Sequence, residues 1–119
     1  MISDEIKYRL LSLLEKDPHL SQRDLAKAMG ISLGKVNYCL KALVEKGVIK
    51  AKNFYHNSNK ISYSYCLTTK GVQEKTTVTY RFLKQKMQEY EVLKNEIENI
   101  KADASILNAA KQHNDSVKN

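Results

Sequence analysis

Two helical patterns in this chain are separated by only two residues, Gly30-Ile31. So short a link holds the two helices in contact at a steep angle, and a glycine at its start supplies the left-handed backbone that ends the first of them. The residues around the link repeat one grammar. Ser21 caps the earlier helix, with Asp24 three residues on as a form of capping box. Leu20 before that cap and Leu25 have the spacing of a hydrophobic staple, and Leu25, Ala26 and Met29 then face inward. Ser32 caps the later helix, flanked by Ile31 and Val36. Val36, Leu40 and Leu43 make its buried stripe, joined by Val44, and Gly47 suits the left-handed position beyond its end. The pattern is a helix-turn-helix.

The flanks extend the motif. A first helix is expected over residues 4–16, capped by Ser3, with Asp4 and Glu5 at its positive end and Ile6, Leu10, Leu13 and Leu14 on one face. Asp17-Pro18 stops it. Two strand-like runs follow, over 48–54 and 61–67. The second puts Ile61, Tyr63, Tyr65 and Leu67 on one face and Ser62, Ser64 and Cys66 on the other. Tyr63 and Tyr65 are expected to pack this hairpin onto the helices. The polar residues 55–60 form its tip.

From about Thr69 the chain holds no proline, and after Gly71 no glycine, so one helix is expected from there to about residue 110. Tyr90, Leu93, Ile97, Ile100, Ala104 and Leu107 follow at gaps of 3, 4, 3, 4 and 3, an a/d heptad stripe expected to form a dimer interface. Tyr80 and Phe82 are assigned to the same interface. The fold class is mainly α with a small β-hairpin. Residues 1–71 read as a winged helix-turn-helix domain, 72–111 as a C-terminal dimerisation helix forming a short coiled coil, and 112–119 as a flexible tail.

Charge narrows the partner. The chain carries 20 Lys and Arg against 13 Asp and Glu, a formal +7. The first 70 residues hold 12 basic and 6 acidic side chains, the remainder 8 and 7, and five lysines stand between Lys46 and Gln73 without one acid. A polyanion is therefore expected at the N-terminal part. The basic residues surround a helix-turn-helix and a hairpin rather than a basic amphipathic helix, which favours nucleic acid over a membrane. No apolar run approaches the roughly 18 residues of a span, and Met1 to Glu5 lack the features of a signal peptide. Cys39 and Cys66 make no disulfide framework and read as reduced thiols in a cytoplasmic protein. His19, His56 and His113 stand apart, so no metal is expected. No phosphate loop, nucleophile elbow or carboxylate pair appears; neither an enzyme nor a cofactor is expected.

The segment Ile31-Ser32-Leu33-Gly34-Lys35-Val36-Asn37-Tyr38-Cys39-Leu40-Lys41-Ala42-Leu43-Val44-Glu45-Lys46-Gly47-Val48-Ile49 resembles the recognition-helix region of MarR-type regulators. Leu67-Thr68-Thr69-Lys70-Gly71 is similar to the run that leads into their dimerisation helix. The resemblance covers roughly residues 5–105. It is closest to the MarR family EPS-associated transcriptional regulators, and implies a DNA-binding regulator linked to exopolysaccharide synthesis genes. Typical members resemble a longer chain, with an extra N-terminal helix that joins the dimer interface. The sequence opens almost at the first helix of the motif, so one wall of the effector pocket is expected to be missing, which puts the pocket and an effector ligand in doubt.

A recognition helix meets base edges with its N-terminal half in the major groove. With Val36, Leu40 and Leu43 inward, the outward residues are Ser32, Gly34, Lys35, Asn37, Tyr38 and Lys41. Asn37 can pair with an adenine edge, and Lys35 can reach guanine acceptors or phosphate. Ser32 and the free helix N–H groups can hold a phosphate. Gly34 permits close backbone approach. Tyr38 offers a hydroxyl to phosphate and a ring to thymine methyl or sugar. In the wing, Lys52, Asn53, His56, Asn57, Ser58, Asn59 and Lys60 can lie against the minor groove or its phosphates; Lys50 and Lys70 are weaker candidates for backbone contacts. A solvated helix face and an ordinary hairpin loop are the plainer readings of the same residues. The expected partners are a palindromic duplex operator and a second copy of the chain. A protein-interaction adaptor and a sequence-neutral nucleic-acid binder stay open as alternatives.

Overall fold

The computed structural model describes residues 2–56 and 60–117, with side-chain surroundings for 2–53 and 63–113. The elements are α1 (Asp4–Lys16), α2 (Gln22–Met29), α3 (Leu33–Glu45), β1 (Ile49–His56), β2 (Lys60–Leu67) and α4 (Thr69–Val117).

The first three helices begin at serines whose side chains accept an orphan backbone N–H. Ser3 Oγ accepts from Ile6 at 3.2 Å, Ser21 Oγ from Asp24 at 3.0 Å and Ser32 Oγ from Lys35 at 3.1 Å. At α2 the box is complete, because the Asp24 carboxylate accepts the Ser21 N–H at 3.3 Å. Gly30 and Gly47, at φ 66° and 72°, make the left-handed exits of α2 and α3.

The core joins Leu10, Leu11 and Leu14 of α1, Leu25 and Met29 of α2, Val36, Cys39, Leu40 and Leu43 of α3, and Val48, Ile49 and Tyr65. Leu11 and Cys39 lie outside the expected stripes yet are fully buried. The reason is that α1 packs against both α2 and β2, and α3 against both α2 and β1, so each buried arc is wider than one stripe. Val44, expected inside, is 39% exposed. It sits at the edge of the α3 arc and lines a cavity instead.

The hairpin pairs in antiparallel register from Ile49 with Leu67 to His56 with Lys60. Its strands run further toward the tip than the sequence reading places them, and Asn57, Ser58 and Asn59 lie outside the described residues. The Tyr65 N–H donates to the Pro18 carbonyl at 3.1 Å and ties β2 to the α1–α2 link. Of the two tyrosines expected to pack inward, Tyr65 is buried and Tyr63 is 51% exposed. Tyr63 is one pleat nearer the tip and lines the same cavity as Val44. Ser64, on the opposite face from Tyr65, is buried as well, and β2 is in contact with α1; simple alternation hides that second covered face.

The entry to α4 depends on close approach. The Thr68 hydroxyl donates to the Gly47 carbonyl at 2.5 Å and accepts the Gly71 N–H at 3.0 Å, while the Thr68 N–H donates to the Val48 carbonyl at 3.1 Å. A β-carbon on Gly71 would collide with the Val48 carbonyl oxygen. The first turns of α4 then pack on α1. Val78 is buried, Glu74 accepts from Lys7 at 3.1 Å, Lys75 donates to Glu15 at 2.8 Å, and the Arg81 guanidinium grips both Asp4 oxygens at 3.0 Å. The Phe82 ring stacks on Tyr8 with centroids 5.1 Å apart. Phe82, expected at a dimer interface, is thus engaged within its own chain.

The chain divides into two units, Met1–Phe82 and Leu83–Asn119. The second is the remainder of α4. It continues to Val117 rather than ending near residue 110, since no proline or glycine interrupts it. No helix is long and apolar enough to cross a membrane among the described residues.

Candidate nucleic-acid interface

The Ser32 cap and the inward pull of Val36, Leu40 and Leu43 set the rotation of α3, and that rotation decides which side chains remain available. Ser32, Gly34, Tyr38 and Lys41 are exposed, and Lys35 and Asn37 are half-buried. All six residues expected to face outward therefore keep access to solvent. The Lys35 ammonium lies 5.2 Å from the centre of the Tyr38 ring, a cation–π contact that gathers charge and ring on the first turns of the helix.

Asn37 has a partner that sequence reasoning missed. Its Nδ2 donates to Gln22 Oε1 at 3.2 Å, and Gln22 Nε2 donates to the Tyr65 hydroxyl at 3.5 Å. One amide relay thus runs from α3 through α2 to β2. A primary amide has two N–H donors and an oxygen acceptor. After one N–H is given to Gln22, the other and Oδ1 remain for a two-point contact with an adenine edge. Next to the relay lies a cavity of about 420 Å³, lined by Asn37, Lys41 and Val44 of α3, Gln22 of α2, and Tyr63 and Tyr65 of β2, among others.

The wing is described in part. Lys50, Lys52 and Asn53 of β1 are exposed. His56 closes β1 and Lys60 opens β2, paired with each other in register. Their side chains lie outside the described surroundings, as do Asn57, Ser58 and Asn59 altogether. Lys70 has a structural use: its Nζ donates to the Lys46 carbonyl at 2.8 Å, where α3 leaves its last acceptors unfilled.

Cys39, although on α3, is fully buried, and burial pushes its thiol up, against the lowering influence of Lys35 and the N-terminus. A buried thiol held protonated is a poor nucleophile. Among the described residues, no three His, Cys, Asp or Glu side chains cluster as a metal site would require.

Comparison with known proteins agrees with this geometry. Residues 3–50 match the family model described as winged helix-turn-helix DNA-binding. The HTH-type transcriptional regulator LrpA of Pyrococcus horikoshii is 32% identical over 91 residues, which cover 76% of this chain and 63% of that protein. LrpA of Pyrococcus abyssi matches to the same extent. The chain thus spans less than two thirds of the length of these curated relatives. Among solved structures, the S. aureus MepR–DNA complex aligns with a TM-score of 0.60 at 24% identity, over 92% of this chain and 79% of that one. A MarR/EmrR family transcriptional regulator from Acinetobacter sp. ADP1 aligns with a TM-score of 0.57 at 21% identity, over 71% and 58%. The chain carries a winged helix-turn-helix domain followed by a long C-terminal helix.

Proposed function

We propose that this chain is a transcriptional regulator that binds duplex DNA through α3, steadies itself on the adjacent backbone through the wing, and acts as a homodimer joined by α4. The observation that carries the reading is the outward face of α3. Lys35, Asn37, Tyr38 and Lys41 share the solvent-accessible arc opposite Val36, Leu40 and Leu43, and Asn37 is held by Gln22 while keeping the donor and acceptor a base edge needs. The basic excess of the first 70 residues supports it. So does the likeness in fold to MepR, a protein crystallised on DNA. A single small module covers too little duplex for strong specific binding, so two copies on a palindrome, with half-sites roughly 10 base pairs apart, suit this architecture. The MarR-type resemblance makes exopolysaccharide synthesis genes the first targets to examine.

Selection of bound sequences from random duplex DNA, followed by titration of variants, tests the reading. Lys35→Ala and Asn37→Ala should each cost about 1–3 kcal/mol on the selected site and relax preference at one position. Lys60→Ala should weaken all duplexes alike. Unchanged affinity and preference in both α3 variants would remove the recognition-helix assignment. No duplex binding at low salt, together with a co-purifying protein, would favour the adaptor reading.

A further inference from the structure

The second unit leaves an apolar row uncovered. Tyr90, Leu93, Ile97, Ile100 and Leu107 are between 42% and 69% exposed, and Ala104 is exposed as well. Soluble proteins cover such contiguous rows with a partner. The spacing makes Tyr90, Ile97 and Ala104 the a positions and Leu93, Ile100 and Leu107 the d positions.

That assignment fixes the flanks. The g positions before each a are Glu89, Glu96 and Asp103; the e positions after each d are Lys94, Lys101 and Asn108. One edge of the row is acidic and the other carries the lysines. Glu96 and Lys101, five apart, are not neighbours on one helix, although Lys94 and Lys101 each stand three or four residues from Glu91 or Glu98. Among the described residues, Lys94, Glu96, Lys101 and Asp103 make no ion pair within the chain, while Glu89 is held by Lys86 at 3.1 Å. Between two helices the sorting decides orientation. In a parallel, in-register pair, each g residue lies beside the e residue five positions on in the other copy, so Glu89 meets Lys94 and Glu96 meets Lys101, twice each by symmetry. In an antiparallel pair g meets g and e meets e, which sets acid on acid and lysine on lysine.

We propose that the stripe from Tyr90 to Leu107 pairs with a second copy of this chain as a parallel, in-register, two-stranded coiled coil, oriented by its Glu89–Lys94 and Glu96–Lys101 flanks. This rests on the dimer reading above and adds strand number, direction and register to it. Leu93 and Leu107 at d suit two strands, whereas Ile97 and Ile100 in the central layer suit three or more, so sedimentation decides the strand number. Lys86 at the preceding d position and Lys111 at the following a position bound the seam to three layers. They face like charges in either orientation, so they limit its length without choosing its direction.

The test uses the full chain with Cys66→Ser and a spin label at Asn95→Cys or, separately, at Ala109→Cys. Both are exposed residues at the outermost position of the heptad. Sedimentation should give a dimer, and pulsed dipolar spectroscopy the same inter-label distance at both positions. An antiparallel pair centred on the stripe would separate the two distances by more than about 10 Å at 1.5 Å rise per residue; that result overturns the orientation and leaves the dimer standing. A trimer overturns the strand number. A monomer overturns this proposal and the dimer reading together, while duplex binding by α3 is scored separately. As a second arm, Glu96→Lys should weaken dimerisation about fivefold, and adding Lys101→Glu to the same chain should restore it. A Glu96→Lys chain that dimerises more tightly also overturns the parallel pair.

Discussion

Gly71 occupies a place where no other residue fits. The Val48 carbonyl oxygen stands where its β-carbon would be, and that oxygen belongs to backbone that cannot swing aside. Alanine is the better helix former by about 1 kcal/mol, yet Gly71→Ala should lower stability by about 2–3 kcal/mol through overpacking. Urea unfolding checks the sign, and a stabilised variant would mean that α4 can shift away from Val48. The need for small size at Gly71 comes from a contact 23 residues back in the chain, beyond the reach of any local pattern. Gln22 was invisible in sequence for the same reason. Its relay joins Asn37, 15 positions on, to Tyr65, 43 positions on, and no periodicity links the three. Lys70, read in sequence only as a cation for the DNA backbone, also fills the end of α3.

Elements were far easier to read than their surroundings. A serine cap, a short apolar stripe and a stop (Asp17-Pro18 after α1, glycine after α2 and α3) are local signals, and the three helices begin and end where those signals stand. The reciprocal box at α2 makes a clear case. Ser21→Ala should cost about 1 kcal/mol of stability, visible as a lower denaturation midpoint with an unchanged urea slope. The faces were read less well, because burial depends on how many neighbours an element has. Leu11, Cys39 and Ser64 are buried by a second neighbour each element meets only in the folded unit. Phe82, assigned to the interface, also has a partner that no local pattern shows, the ring of Tyr8 in α1 within stacking distance. The outward arc of α3 was recoverable, since the inward stripe fixes it by subtraction.

At the scale of the whole molecule, charge and association act together. If each subunit of the proposed dimer neutralises three to five phosphates, the logarithm of affinity should fall with the logarithm of salt at a slope of about −5 to −9. Titrations at several salt concentrations measure it, and a slope near zero would detach the basic N-terminal unit from any duplex role. The row from Tyr90 to Leu107, bare on a single chain, carries one consequence into the cell. Chains that must find each other before they grip an operator do so in proportion to the square of their number, since dimerisation follows mass action. Where the proposed dimer is weak enough that most chains are monomers and the operator is unsaturated, halving the gene dose would cut operator occupancy by more than half, so such a regulator would respond to its own abundance.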